Sequence, residues 1–267
     1  MTLKRLDPLI PLLFAALSTL AQQPSTTSNP ISKDPQAIAI LNQSLSAVGG
    51  LTAISGIQDY TGTGNITYYW AGQEVQGSVT VRGMGTSNFR LDAVLPDGTR
   101  TWAASGYVGV LIHQDGTRKQ TAFYNLMTAG SMTLPFIRIA AALNDPSTGM
   151  SLVGASAAAG AQIYQVHIIP PVINSAFTGN SMPGLGSFDV FIDPASLLPT
   201  KLSEQARSEL NPTITVLHEI EFQNFQITGN LKVPMTINEK INGQLVSTIT
   251  LTSVSFNSGL AQADFMP

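Results

Sequence analysis

Residues 187–199 read SFDVFIDPASLLP, a short strand-forming segment followed by a turn around Asp193 and Pro194. From there to the end of the chain, long segments that alternate apolar and polar residues are separated by turn residues, among them Asn242-Gly243. Such alternation is typical of half-buried strands, and an Asn-Gly pair favours a tight hairpin. The sequence therefore predicts consecutive antiparallel strands. They are placed at 187–192, 200–205, 213–226, 233–241 and 245–256.

The same alternation extends through residues 63–124. Three of its breaks, Ala71-Gly72, Asp97-Gly98 and Asp115-Gly116, supply the glycine that a tight turn needs at a positive φ. Consecutive hairpins of this kind form a meander. The predicted strands are 64–70, 73–82, 88–94, 99–104, 108–113 and 118–124, with a further strand at 163–169. Residues 170–186 are rich in Pro, Gly, Asn and Ser and are expected to form a long loop.

Two segments have the period of an amphipathic helix. In the first, Asp34 can accept backbone N–H groups as an N-cap, Pro35 suits the first helical turn, and Gly49-Gly50 ends the helix. The second covers residues 135–143 and ends at Asn144-Asp145-Pro146. Each helix needs an apolar surface to cover. The predicted fold class is therefore α+β, an antiparallel sheet covered by a few helices.

The N-terminal segment differs in composition from the rest. A basic start precedes an apolar run, and Thr19 and Ala21 are small residues at the positions that a signal peptidase recognises. The run holds about a dozen apolar residues, whereas a membrane-spanning helix needs roughly 20. We therefore predict a cleaved signal peptide at residues 1–21 and export. Residues 22–33, rich in Ser, Thr, Gln, Asn and Pro, are predicted to be a flexible leader.

Composition limits the class of protein. The 267 residues include 13 Lys and Arg and 16 Asp and Glu, the formal net charge is −3, and only 11% of residues are charged. Because such a chain offers little positive charge to a phosphate backbone, we expect no nucleic-acid partner. It has no cysteine, so neither disulfides nor a lipidated thiol can form. Residues 34–267 show no change in composition that would mark a linker, which favours a single domain.

The inventory of reactive residues argues against an enzyme. Three histidines, His113, His167 and His218, lack the spacing of a metal site, so we expect no bound metal. His218 shares the parity of Val216 and Ile220, which predicts that it points into the apolar side of the sheet. No Gly-x-Ser-x-Gly elbow or phosphate-binding loop occurs, so no catalytic residue and no cofactor are predicted. A zinc site gathered from separate strands and a pair of carboxylates stay open as alternatives.

Several local strings occur in a fixed order between residues 34 and 267. They are a leading helix closed by Gly49-Gly50, Val81-Arg82 followed by NFRL at 88–91, ASGYV at 104–108, LPFIRIA at 134–140, FDVFID at 188–193 with Leu198-Pro199, and DFMP at 264–267. In this order they resemble the periplasmic lipoprotein carrier superfamily, which comprises LolA and LolB type proteins and outer-membrane lipoprotein-sorting relatives.

This resemblance implies a strongly curved antiparallel sheet, a half-open β-barrel, whose concave face is covered by helices and encloses an apolar cavity. It implies a non-catalytic soluble carrier in the periplasm or extracellular space. Its partners would be lipid or lipoprotein acyl chains and envelope proteins of the inner or outer membrane. Hiding an alkyl chain from water is worth about 0.8 kcal/mol per methylene, so such a carrier needs an apolar pocket. The expected lipid-binding residues are Tyr68, Trp70, Phe89, Trp102, Phe136 and Ile137.

In the family, an arginine near the end of the second barrel strand holds a lid helix shut. Arg82 lies at the matching place here, residues 135–143 correspond to the lid, and Gly83-Met84-Gly85 stands where the family has a proline-containing turn. The second hypothesis is a non-catalytic interaction or scaffold module of the envelope, with the same fold and a filled interior. An envelope hydrolase is the third. The first two differ in whether the concave side of the sheet is empty.

Overall fold

The computed structural model describes residues 32–106, 108–126, 129, 132–158, 161–171, 173–174, 181–182, 186–208, 211 and 213–266. The predicted signal peptide and most of the predicted leader lie outside the described residues. Ser32 and Lys33, the last residues of the predicted leader, lie within the described residues and form hydrogen bonds to the domain. The carbonyl of Ser32 accepts the backbone N–H of Met150 at 3.0 Å, and Lys33 Nζ donates to the carbonyl of Asp145 at 2.7 Å.

One antiparallel sheet of thirteen strands holds most of the described residues. The strands of the structure are β1 (Tyr60–Trp70), β2 (Gln73–Met84), β3 (Asn88–Leu95), β4 (Gly98–Ser105), β5 (Val108–Ile112), β6 (Arg118–Gln120), β7 (Gly149–Ala158), β8 (Ala161–Ile169), β9 (Ile173–Asn174), β10 (Ser181–Met182), β11 (Phe188–Ile192), β12 (Pro199–Arg207), β13 (Thr215–Thr228), β14 (Leu231–Ile241) and β15 (Gln244–Phe256). The order in the sheet is β6-β5-β4-β3-β2-β1-β15-β14-β13-β12-β11-β8-β7, and β9 and β10 form a separate hairpin.

The helices lie on one face of this sheet, which we call the inner face. They are α1 (Pro35–Val48), α2 (Leu51–Ser55), α3 (Phe123–Leu126) and α4 (Pro135–Asn144), and a 3-10 helix covers Gln262–Phe265. Helix α1 packs against β7 and β14, and α4 packs against α1, α2 and β12. In the part of the chain that the structure describes, no helix is long and apolar enough to span a membrane. The predicted α+β fold, an open curved antiparallel sheet with a few helices, is confirmed.

The local signals for α1 and for the hairpins act as the sequence predicts. Asp34 caps α1, because its Oδ1 accepts the backbone N–H of Gln36 at 2.8 Å. Asn242 and Gly243 have φ values of 50° and 77°, the left-handed conformation that the tight turn between β14 and β15 requires. At the turn after β11, the Oδ2 of Asp193 accepts both the hydroxyl and the backbone N–H of Ser196. These bonds hold the pKa of Asp193 below its usual value.

The core lies between α1, α4 and the inner face. Burial alternates along β2, where Val79 and Val81 face inward, and Phe89 and Leu91 do the same in β3. Each such side chain contributes about 1.5–3 kcal/mol when fully buried. A bulge interrupts β1 at Gly64, where a Cβ would collide with the carbonyl oxygen of the neighbouring strand β15. A bulge bends the strand that contains it, so this one favours the curvature of the sheet.

Several elements differ from the predicted ones. Strands β9 and β10 lie in the segment predicted to be a loop, and helix α2 was not predicted. Strand β7 has no counterpart in the prediction because its sequence, GMSLVGASAA, is rich in Gly, Ser and Ala, which have weak β propensity. The strand predicted at 118–124 ends at Gln120, and the short helix α3 follows. The last two differences arise because packing against neighbouring elements overrides a weak local preference.

Candidate functional site

A cavity of about 280 Å³ lies on the inner face of the sheet. Its floor is formed by buried apolar side chains from five strands. They are Ile66, Phe89, Leu91, Ile220, Ile237 and Ile249. The volume is slightly below the roughly 300–1,000 Å³ that small-molecule pockets occupy. The cavity therefore has room for a slender apolar group.

Three of the residues that the sequence proposes for lipid binding line this cavity: Tyr68, Phe89 and Trp102. The rings of Phe89 and Trp102 meet edge to face, with centroids 5.2 Å apart. Trp102 Nε1 donates to the hydroxyl of Thr121 at 3.1 Å, which satisfies the partly buried indole. Trp70, at the end of β1, does not line the cavity, but its ring stacks on that of Tyr68 with centroids 4.6 Å apart.

The other two proposed residues lie on α4 and do not line the cavity. Phe136 has no exposed surface and belongs to the core, and Ile137 is partly buried against that core. The contribution to the cavity from this part of the chain comes from Met132 and Thr133, just before α4. Helix α4 sends a charged side chain, Arg138, toward the sheet.

Arg138 begins a buried chain of charged groups that crosses three strands. Its Nη1 donates to Glu204 Oε2 at 2.8 Å, and the two side chains are 9% and 6% exposed. His218 bridges the two carboxylates, with Nδ1 3.2 Å from Glu204 Oε1 and Nε2 3.1 Å from Glu239 Oε1. The hydroxyl of Ser247 donates to Glu239 Oε2 at 2.8 Å. Both oxygens of Glu204 and both oxygens of Glu239 therefore have a hydrogen-bond partner.

The contacts decide the charge of each group. Burial alone would favour neutral groups, but hydrogen bonds to Glu204 and Glu239 raise the pKa of His218 to about 10. Burial likewise opposes the Glu204 carboxylate, but the charge of Arg138 and the bond to His218 lower its pKa to about 2. The pKa of Glu239 is also lowered, because the bond to His218 outweighs burial. At neutral pH His218 is a cation between two anions.

These groups lie in a row on the inner face, near the ends of their strands. Each is two or three residues from the end of its strand, and all are at the same end of the sheet. The row, which we call the polar rim, consists of Glu204, His218, Glu239, Ser247, Tyr68 and Arg100. Burial raises the pKa of Tyr68 to about 12, so its phenol is neutral. The cavity thus has a polar edge above an apolar floor.

Arg82, the lid-locking candidate, lies on the outer face. Its Nη1 donates to Asp92 Oδ2 at 2.7 Å, and Asp92 also accepts from Arg90. The arginine that joins α4 to the sheet is Arg138, which contacts Glu204 and also donates to the carbonyl of Gly186 at 2.9 Å. The ion pair therefore originates on the helix, whereas the sequence predicted an arginine on the strand.

The three histidines lie in separate places. His113 Nδ1 is 3.2 Å from Arg100, and His167 Nδ1 is 2.8 Å from Asp189 on the neighbouring strand. His218 faces the cavity, which confirms the prediction from parity. Within the described residues, no group of three or more His, Cys, Asp or Glu side chains is arranged to hold a metal ion.

Three solved structures have a similar fold. A domain described as an outer membrane lipoprotein-sorting protein domain, from Vibrio parahaemolyticus, has a TM-score of 0.50 at 12% identity, covering 86% of this chain and 96% of that one. A DUF1329 family protein from Desulfovibrio piger scores 0.50 at 10% identity, with coverage of 89% and 97%. A LolA superfamily protein from Nitrosomonas europaea scores 0.52 at 10% identity, with coverage of 86% and 97%. The chain has the LolA-type fold. No family model and no curated protein matches the sequence.

Apart from His218, the charged residues in and beside this LolA-type cavity were not identified from the sequence. Glu204 and Glu239 occupy inward positions of their strands, between Leu202 and Ala206 and between Ile237 and Ile241. A carboxylate at an inward position of an apolar alternation is the signal that could have identified them. Arg138 gave no such signal, because a cation in a short helix is usually solvated.

The charge of His218 predicts a pH dependence for the LolA-type domain. The pKa of His218 is higher in the folded state than the ordinary value of about 6.5, so its stabilising effect is complete below about pH 6.5 and is lost as the pH rises toward 10. We expect the free energy of unfolding to fall by ~1.4 kcal/mol per pH unit between about pH 7 and 9. Urea unfolding at several pH values measures this slope.

His218→Gln is expected to be less stable at pH 7 and to have a flatter profile above it. The control is His167→Gln, in which the bridge between Glu204 and Glu239 is intact, so the loss of stability that His218 causes above pH 7 should be kept. An unchanged slope in His218→Gln would mean that another group titrates in this range.

Proposed function

We propose that the protein is an exported carrier that binds an acyl-bearing ligand, a lipid or the lipid part of a lipoprotein, in the cavity of its LolA-type fold. The observation that carries this proposal is the apolar floor of the cavity, which is lined by Ile66, Ile237 and Ile249 and lies under a polar edge. One structural neighbour is described as a lipoprotein-sorting domain, which supports the same class of ligand. Export is part of the proposal, since a lipid carrier of this kind works in the envelope.

The geometry favours a carrier over a scaffold module. A scaffold with a filled interior would pack the inner face as densely as an ordinary protein core, which leaves few voids larger than a water molecule. The cavity of about 280 Å³ is several times larger than the roughly 30 Å³ share of one water molecule. None of the described side chains fills this apolar space, and its size supports the binding of an apolar group.

The carboxylates of the rim are unsuited to hydrolysis. Both oxygens of Glu204 are engaged, one by Arg138 and one by His218. Glu239 is engaged in the same way by His218 and Ser247. A general acid or base needs an oxygen that can reach the substrate, and these carboxylates are held in fixed pairs. The function proposed is therefore binding without catalysis.

In the same proposal the lid consists of α4 with Met132 and Thr133 just before it; these two residues line the cavity, whereas α4 itself does not. Helix α4 packs against β12 at one side of the cavity, and the ion pair of Arg138 with Glu204 fastens it to the sheet. The cation also lies 3.6 Å from the ring centroid of Phe188, a favourable cation–π arrangement. Movement of α4 away from the sheet would separate Arg138 from Glu204. Because separated charges need hydration, the lid can open only if water reaches both side chains.

The proposed function predicts that filling the cavity abolishes binding. Ile249 lines the floor and is 6% exposed, so Ile249→Trp should occupy the space that the acyl chain needs. We expect the affinity for a fluorescent fatty-acyl probe to fall at least tenfold, and overpacking to cost about 1–3 kcal/mol of stability. Fluorescence titration gives the affinity, and circular dichroism checks that the variant is folded.

Val94→Trp is the matched control. Val94 lies on the outer face of β3 and is 54% exposed, so the same enlargement there should leave binding unchanged. If the wild type binds no acyl probe, the carrier hypothesis is wrong and the scaffold hypothesis takes its place. Equal binding by wild type and Ile249→Trp would place the ligand elsewhere.

A further inference from the structure

Arg100 is the one residue of the polar rim whose charge no carboxylate of the described residues balances within 4 Å. The guanidinium lies 5.5 Å from the ring centroid of Tyr68 and 5.3 Å from that of Trp70. Its Nη1 contacts His113 Nδ1 at 3.2 Å. The two rings and the imidazole hold the group in position. A guanidinium has five N–H donors, so several of them are available to a ligand.

The carboxylates near Arg100 are already bound to other groups. The charge of Arg100 acts on Glu239 and helps to lower the pKa of that carboxyl, but the two oxygens of Glu239 bind His218 and Ser247. Glu204 is matched by Arg138 in the same way. Among the described residues, Arg138 and His218 are the cations that bind Glu204 and Glu239, so these two positive and two negative charges balance. Arg100 adds a further positive charge at the polar rim.

The position of Arg100 gives a bound molecule a direction. Along β4, the inward-facing positions are Arg100 at the rim, then Trp102, then Ala104 in the core. Trp102 and its neighbour Leu91 in β3 line the cavity directly below the guanidinium. An acyl chain whose head group lies at Arg100 would therefore pass over Trp102 and reach the isoleucines of the cavity floor.

We propose that the cavity prefers single-chain amphiphiles with an anionic head group, a carboxylate or a phosphate, and that Arg100 binds this head group at the polar rim. This inference rests on the proposed carrier function and adds the class of ligand. A planar guanidinium pairs with the oxygens of either anion through two parallel hydrogen bonds. A neutral lipid offers only dipoles to the same group, and a cationic head group is repelled by it.

The test compares ligands that share a ten-carbon chain and differ in head group: decanoate, decyl phosphate, decanol and decylammonium. Their affinities are measured by isothermal titration calorimetry on the mature protein, at concentrations below micelle formation. We expect at least one of the two anions to bind at least about tenfold more tightly than decanol, since a charge-assisted hydrogen bond is roughly twice as strong as a neutral one. Decylammonium should bind most weakly. The two anionic arms show whether carboxylate or phosphate is preferred.

Variants of Arg100 assign the preference to this residue. Arg100→Gln should bind the anions about as weakly as decanol, while its affinity for decanol stays at the wild-type value. Arg100→Lys keeps the charge and should keep part of the preference. Arg118→Gln removes a cation at an exposed position of β6, and we expect it to behave as the wild type.

Two results would overturn the proposal while leaving the carrier function in place. One is equal or tighter binding of decanol than of both anions by the wild type, which needs no variant and so does not depend on the folding of Arg100→Gln. The other is an undiminished anion preference in Arg100→Gln. Absence of binding by all four ligands would contradict the carrier function itself, together with this inference.

Discussion

Glu204→Ala is expected to lower the free energy of unfolding by ~3–5 kcal/mol, because it leaves the charge of Arg138 buried without its partner. The Arg138 side chain is 9% exposed, and water has little access to its charge between α4 and the sheet. His218 loses one of its two carboxylates in the same variant. Urea or thermal unfolding at pH 7 measures the loss.

Glu221→Ala is the matched control for this substitution. Glu221 lies on the outer face of β13 and pairs with Lys240 at 2.6 Å, but the side chains are 26% and 29% exposed. Pairs that are exposed to solvent contribute only about 0–1 kcal/mol, so the control should lose little. A similar loss in both variants would show that the buried position of Glu204 is not what makes it important.

The double variant Arg138→Met/Glu204→Leu distinguishes the contribution of the ion pair to stability from that of side-chain packing. Replacing a buried ion pair by apolar residues of similar volume is often close to neutral, whereas breaking it by removing one partner is costly. The double variant should therefore be more stable than Glu204→Ala. It should also loosen the contact between α4 and β12, because the ion pair of Arg138 with Glu204 is absent. We then expect a higher dissociation rate of the fluorescent fatty-acyl probe.

The fold was predictable because its signals are local. Alternation along β2 and β3, the Asn242-Gly243 turn and the Asp34 cap each depend on residues that are neighbours in sequence. These signals place most strands within a few residues of their true ends. Strand β7 was missed because Gly, Ser and Ala specify a strand only through the neighbour it pairs with, β8.

The site was harder to predict because it depends on pairs that are distant in sequence. Glu204 and His218 are 14 residues apart, and Arg138 and Glu204 are 66 residues apart. Only the register of β12 on β13 places Glu204 opposite His218. The family resemblance placed the lid lock at Arg82, whose side chain faces outward, whereas the contact to α4 comes from Arg138.

The contacts of the aromatic residues were also only partly predictable from the sequence. The family resemblance implies that Tyr68, Phe89 and Trp102 belong to the pocket wall, and all three line the cavity. Alternation along a strand does not say whether an inward residue meets a cavity or another side chain. Phe136 was assigned to the ligand wall and is packed in the core, a difference that depends on how α4 rests on α1 and β12.

Phe136→Ala is expected to lower the free energy of unfolding by ~3–5 kcal/mol, the usual loss when a fully buried phenylalanine is truncated. Phe136 has no exposed surface and lies in the core beneath α4. Because it does not line the cavity, the folded fraction of the variant should bind the fluorescent fatty-acyl probe with near wild-type affinity. Thermal unfolding and probe titration on the same preparation give both values.

Ile137→Ala provides the comparison within the same helix. Ile137 is only partly buried, so its truncation should cost less than that of Phe136. Together with Ile249→Trp, which should lose binding and keep most stability, the two α4 variants separate the core from the ligand wall. Loss of probe binding in Phe136→Ala without a fall in stability would mean that Phe136 faces the ligand, because only a residue in contact with the acyl chain could produce that result.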